Sequence, residues 1–332
     1  MRLNRKIILF WLAAVITVSS CKSKKQDQQE NQATEVKAVT APAFNADSAY
    51  GYVAKQVAFG PRVPNTDAHR RCGDYLIAQL KQFGCEVTVQ NFTATTYDNL
   101  KLNARNIIGS INPNAPKRIV LASHWDSRPF ADQDSVARTK PVIGANDGAS
   151  GVGVLLEMAR TIQQSGVKPD VGIDLIFFDA EDWGNSELAK DEYGGFCLGS
   201  QYWAANKHKP GYTAYYGVLL DMVGAKGATF LKEGNSMQYA PTVVNKVWET
   251  ASRMGYNQYF VDTGQSGPAI TDDHLPVNKV AKIPMIDIIH LKVESGSFFK
   301  DWHTAHDDMD NIDRGTLKAV GQVLLQTLYN EE

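Results

Sequence analysis

Three apolar runs in the sequence end on residues able to hold a cation or move a proton. Residues 118–122 (RIVLA) lead to His124 and Asp126, residues 174–178 (DLIFF) to Asp179, Glu181 and Asp182, and residues 216–220 (YGVLL) to Asp221. Asp147 lies in the small-residue loop GANDGASG at 144–151, and His303 in DWHT at 301–304. Carboxylates with imidazoles suit a divalent ion such as zinc, which takes nitrogen at ~2.0–2.1 Å and oxygen at ~2.0–2.2 Å. A catalytic zinc keeps three protein ligands and one open position. The candidate ligands are His124, Asp147, Asp182, Asp221 and His303. Glu181 and Asp182 are adjacent and point in different directions, so one can bind metal while the other acts as a base. Any one of these residues alone reads equally as a cap, a surface acid or a packed histidine. Their joint recurrence behind apolar runs points to chemistry.

The elements that must position them follow from periodicity. Residues 47–59 and 66–83 have helical spacing, as do 149–164, 200–206, 240–254 and 314–329. Residues 86–92 alternate as a strand, and 106–111 continues as another. The runs at 118–122, 174–178, 216–220 and 285–289 have the unbroken apolar character of strands buried on both faces. Strand and helix alternate without a linker-like break, which predicts a single α/β domain around a mixed, mostly parallel sheet flanked by helices. In such sheets ligands bind outside the carboxyl ends of the strands, where the polar residues above would gather.

The chain has 332 residues, with 34 basic and 36 acidic side chains and a formal charge of −2. Without a basic stripe it is a poor nucleic-acid binder. Its 43 % apolar content supports a full core. Arg2, Arg5 and Lys6 precede an apolar run at 7–18, too short for a bilayer that needs about 20 residues, so residues 1–20 read as a signal peptide. Val18-Ser19-Ser20-Cys21 resembles a bacterial lipoprotein box, with Cys21 as the lipidated residue; the alternative is an ordinary signal with an incidental cysteine. Residues 21–44 read as a polar tether and 45–332 as the catalytic domain. Export to the periplasm, with a lipid anchor in the membrane, is the expectation. Cys72, Cys85 and Cys197 then leave open one disulfide, with buried free thiols as the alternative.

Taken together, the motifs SHWDS at 123–127, GAND at 144–147, DAED at 179–182, LLD at 219–221, DDH at 272–274 and WHT at 302–304 resemble the metallopeptidase family 28 superfamily of zinc aminopeptidases and glutaminyl cyclases. The resemblance runs from about residue 59 to the last helix and implies the zinc aminopeptidase-like fold. It implies Asp147, Asp182 and His303 as ligands of the main zinc and Glu181 as general acid/base. His124 and Asp221 match the residues that hold a second zinc in the aminopeptidases, and Asp221 is carried over as catalytic. Asp182 departs from the pattern, where Glu is frequent. Trp302 directly before the zinc histidine, and the DDH run with Asp273, match the cyclase branch. There an N-terminal glutamine of a peptide or protein attacks its own side-chain amide, giving pyroglutamate and ammonia. Asp273 would support proton transfer, and Trp302 and Trp183 would wall the substrate. The cyclase reading implies one zinc; the alternative, a dinuclear aminopeptidase, implies two. A metal-free binding protein on the same fold is a third class, opposed by the intact ligand set.

Overall fold

The computed structural model describes residues 39–331, so Cys21 and the expected signal and most of the tether lie outside the described residues. Six strands form one sheet, β1(Glu86–Thr95), β2(Lys101–Ile111), β3(Arg118–His124), β4(Gly172–Phe178), β5(Tyr216–Asp221) and β6(Met285–Ile289), in the order β1-β2-β4-β3-β5-β6. β1, β2 and β4 pair antiparallel; β4, β3, β5 and β6 pair parallel. The mixed, mostly parallel sheet predicted from the sequence is the sheet observed.

Every residue of β3 to β6 is buried. Alternate side chains serve opposite layers: Ile119 and Leu121 of β3 join one apolar cluster, Val120 and Ala122 the other. β4 divides the same way, with Ile173, Leu175 and Phe177 on one side and Ile176 and Phe178 on the other. The larger cluster lies under α1(Ala46–Val57), α2(Asp67–Gln82), α3(Ala149–Gln164), α6(Pro241–Arg253) and α8(Arg314–Tyr329). The smaller lies under α4(Leu198–Ala205) and the π-helical turn Val277–Ala281 that follows the short helix α7(His274–Pro276). With both faces covered, neither set of side chains needs to be polar, which is why these strands read as continuous apolar runs.

Differences from the sequence reading are local. β2 starts at Lys101 rather than 106, its first half alternating with Leu102 and Ala104 buried and Lys101 and Asn103 exposed, and β1 pairs with it along its whole length. The short helix α5(Gly234–Tyr239) was not foreseen. The packed chain begins ahead of residue 45. Ala41 and Phe44 are buried against α8, whose Gln322 and Gln326 side chains accept from the Phe44 and Ala41 amides at 2.8 and 3.1 Å. Cys72, Cys85 and Cys197 are buried free thiols.

Candidate active site

Parallel pairing aligns three strand ends. His124 closes β3 opposite Phe178 of β4, and the Ala122–Leu219 pairing sets Asp221, the last residue of β5, level with His124. Asp147 arrives on the loop before α3, and His303 from the segment between β6 and α8. All five predicted ligands converge there. Asp147, Asp182 and His303 form one trio of potential ligand atoms, and His124, Asp147 and Asp221 another, each within 4.8 Å.

Asp147 belongs to both sets. Its Oδ1 lies 2.9 Å from His124 Nε2 and its Oδ2 3.7 Å from His303 Nε2. His124 Nε2 is also 3.2 Å from Asp221 Oδ1, and His303 Nε2 is 3.2 Å from Asp182 Oδ1. Burial alone would lower the basicity of His303, but Asp182 and Asp132 outweigh it and raise the imidazole to about 9. His124 is likewise pushed well up by Asp126, Asp147 and Asp221 against the effect of burial. A buried cluster so rich in anions calls for a cation. Ligand atoms of a tetrahedral zinc stand about 3.3 Å apart, and 3.2 and 3.7 Å around His303 match that spacing. The residues present therefore fit zinc.

The backbone at the site is held in unusual conformations. His303, Ala180 before Glu181, Met222 after Asp221, and Cys197 all have positive φ, between 49° and 61°. Such conformations in non-glycine residues cost of order 1 kcal/mol or more and persist where surrounding contacts over-determine them. Asp126 supplies one such contact, accepting from the Glu181 amide at 3.0 Å and the Asp182 amide at 3.2 Å. Asp307 does the same for Asn146 and Asp147, at 2.9 and 3.0 Å. Gly148 is required by close approach, since a Cβ there would lie 2.5 Å from the His124 ring.

Glu181 is buried beside the first trio. Burial, reinforced by Asp182, Asp272 and Asp273 and opposed by His124, pushes its carboxyl well above the usual range. Cys197 Sγ approaches its Oε1 at 3.5 Å, and the Cys197 amide donates to the Glu181 carbonyl at 3.0 Å. Asp272 shares a second close cluster with Glu181 and Cys197.

A cavity of about 240 Å³ opens beside these groups, lined by Glu181, Asp272, Ile270, Phe298 and Trp302 together with the first trio. The Trp302 ring stacks on His303 at 3.7 Å and 23°. Ser186 and Phe196 bring the 183–196 loop to the rim. A larger open groove of about 690 Å³ runs between α2 and the β1–β2 hairpin, but no trio of potential ligands gathers there.

Two predicted site residues fall elsewhere. Trp183 turns from Asp182 into a satellite cluster with Phe92, Leu102 and Ala180 and does not line the cavity. Asp273 lies behind Asp272, its carboxylate accepting from the Ser200 hydroxyl, and it is Asp272 that faces the cavity. Asp179, first of the three acids after β4, pairs with His69 at 2.8 Å and is structural. Asp126 and Asp272 stood in the motifs without an assigned role, and Asp307 carried no signal in the sequence.

A mixed sheet whose parallel strands deliver a candidate three-ligand cation site, with the Glu181 carboxyl alongside, is the architecture of a zinc-dependent enzyme of the exopeptidase-like class. The model of Peptidase family M28 matches residues 106–328, and the chain belongs to that family. It is 29 % identical over 242 residues to a glutaminyl-peptide cyclotransferase of Bos taurus, spanning 66 % of this chain and 64 % of the bovine protein, just under two thirds of that relative's length. A Bacteroides thetaiotaomicron glutaminyl cyclase solved with N-acetylhistamine is 52 % identical, with a TM-score of 0.84 over 88 % of this chain and 100 % of that one. A structure from Parabacteroides distasonis described as a Zn-dependent exopeptidase is 54 % identical, with the same TM-score and coverage.

Proposed function

We propose that the chain is a glutaminyl-peptide cyclotransferase, closing the N-terminal glutamine of peptides and proteins to pyroglutamate with release of ammonia. The observation that carries this reading is Trp302, stacked on His303 and walling a small cavity that Glu181 also lines. The nucleophile in this reaction comes with the substrate, so the site must orient a short side chain and keep water away. An indole wall beside the cation does both. The cyclase names of similar proteins agree with the reading.

Asp147, Asp182 and His303 would hold a zinc ion, which when bound would supply Lewis acidity toward the side-chain carbonyl. Glu181 accepts a proton from the α-amine as that nitrogen bonds to the amide carbon. It returns the proton to the amide nitrogen as the old C–N bond breaks, and ammonia leaves. Asp272, rather than Asp273, stands beside Glu181 to support this transfer; burial and Asp221 raise its carboxyl to about 7. The cavity holds both ends of the glutamine together, giving intramolecular attack its large effective molarity.

The cyclase reading implies one zinc per chain. The complete second trio, His124, Asp147 and Asp221, favours the aminopeptidase as the second reading. Purified protein with a Gln-initiated peptide should release ammonia and form pyroglutamate, leave Leu-p-nitroanilide intact, and contain about one zinc. Nitroaniline without pyroglutamate, and two zincs, would reverse the assignment.

The N-terminal charges, the apolar run at 7–18 and Cys21 support an exported, periplasmic lipoprotein held to the membrane through its lipid. Its substrates would be exported proteins that begin with Gln after signal cleavage. Cys21→Ala should move the protein from the membrane to the soluble fraction; retention in the membrane would reject the anchor.

A further inference from the structure

We propose that Arg128 is a positioning residue for the metal site, acting with Asp132 to hold two of the three ligands, Asp182 and His303, at the spacing an ion requires. Arg128 follows β3 and is buried, 5 % exposed. A guanidinium offers five N–H donors in a rigid plane, and all five are used here. Nε and Nη2 donate to the two oxygens of Asp132 at 2.7 and 2.8 Å. Nη1 donates to the Asp182 carboxylate at 3.1 Å and to its carbonyl at 3.2 Å. The remaining Nη2 proton reaches the Gly184 carbonyl at 3.1 Å.

One group thus fixes the backbone on both sides of residue 183 and the ligand's own carboxylate. That matters because an aspartate has a single methylene between carboxylate and backbone. The placement of its oxygens is set by where the backbone lies. Asp132, oriented by the same guanidinium, stands 3.4 Å from His303 Nδ1, the ring nitrogen turned from the trio, in a charge contact without a well-aligned hydrogen bond. A carboxylate behind a histidine ligand favours one orientation of its ring and strengthens its ligating nitrogen. Arg128 also lies over the Phe196 ring, 5.4 Å from its centroid, and so couples the ligands to the rim of the cavity. A lysine would deliver the charge without the planar fork.

The inference rests on the zinc site and not on the cyclisation reading, and it is tested on metal binding. Arg128→Met, Arg128→Lys and Asp132→Asn are prepared metal-free and their folding is checked by thermal unfolding in chelator. Zinc affinity is then read by competition with a chelating dye, and ligand geometry by the visible absorption of the cobalt(II) form. The expected result is zinc binding about ten- to a hundred-fold weaker in both Arg128 variants, with a smaller loss in Asp132→Asn. The cobalt band of Arg128→Lys should differ in shape from that of the parent. A purely structural salt bridge would lower the unfolding temperature and leave zinc affinity alone. If Arg128→Lys and Asp132→Asn both bind zinc within about threefold of the parent, the proposal is overturned, whether or not Arg128→Met folds.

Discussion

Glu181 and Asp182 are neighbours in the chain with different surroundings, and the difference comes from direction. Asp182 turns toward His303, while Glu181 turns toward Cys197 and Asp272. Glu181→Gln should therefore keep its zinc, by metal analysis, and lose about 10²- to 10⁴-fold in turnover, the usual worth of a general acid/base. Near-parent activity would show the base misassigned. The two tryptophans should separate by kinetics: Trp302→Ala raises KM for a Gln-peptide. Trp183→Ala leaves KM unchanged and lowers the unfolding temperature, because its ring serves packing. The candidate ligands that converge here were legible in the sequence because each follows a buried strand or lies in a recognisable motif. The directions of Trp183 and of Asp272 against Asp273 were not. Adjacent residues of like chemistry differ only in where the backbone aims them, and that is fixed by partners far away in sequence, such as Ser200.

Among the elements, β4 carries the site from below and is tied in place by one buried acid. Asp174 accepts from Arg118 Nε and Nη2 at 2.6 and 2.7 Å, from Ser110 Oγ at 2.5 Å and from Tyr212 Oη at 2.6 Å. It thereby joins β2, β3 and the approach to β5. Asp174→Asn leaves Arg118 inadequately paired and should cost about 3–5 kcal/mol in denaturant unfolding. Burial alone would raise the Asp174 carboxyl, but Arg118, Ser110 and Tyr212 outweigh it and hold it below the usual range. Folded below unfolded means that its stabilisation is present above about pH 4 and fades as acid protonates the folded state. The gap between parent and Asp174→Asn should narrow below that pH; a pH-independent gap would contradict the assignment. The strands β3 to β6 were legible because helices cover both faces, and α3 because its apolar stripe is continuous. The first half of β2 was not, since only Leu102 and Ala104 mark its buried face before the polar Asn106 takes the next buried position.

For the molecule as a whole, residues 39–44 form a strap on the last helix. Phe44 is 4 % exposed against Gly321 of α8, where a Cβ would meet its ring at 2.2 Å. Phe44→Ala should cost about 3 kcal/mol in urea unfolding, and a chain begun at residue 45 should lose a similar amount. Equal stability would return the boundary to the position read from composition, which misplaced it because two apolar side chains are too few to form a pattern. The sheet gathers its ligands around Asp147, whose two oxygens look to different histidines. The two candidate trios share that single carboxylate, one oxygen facing each, so an ion held by either would draw on charge that the other needs.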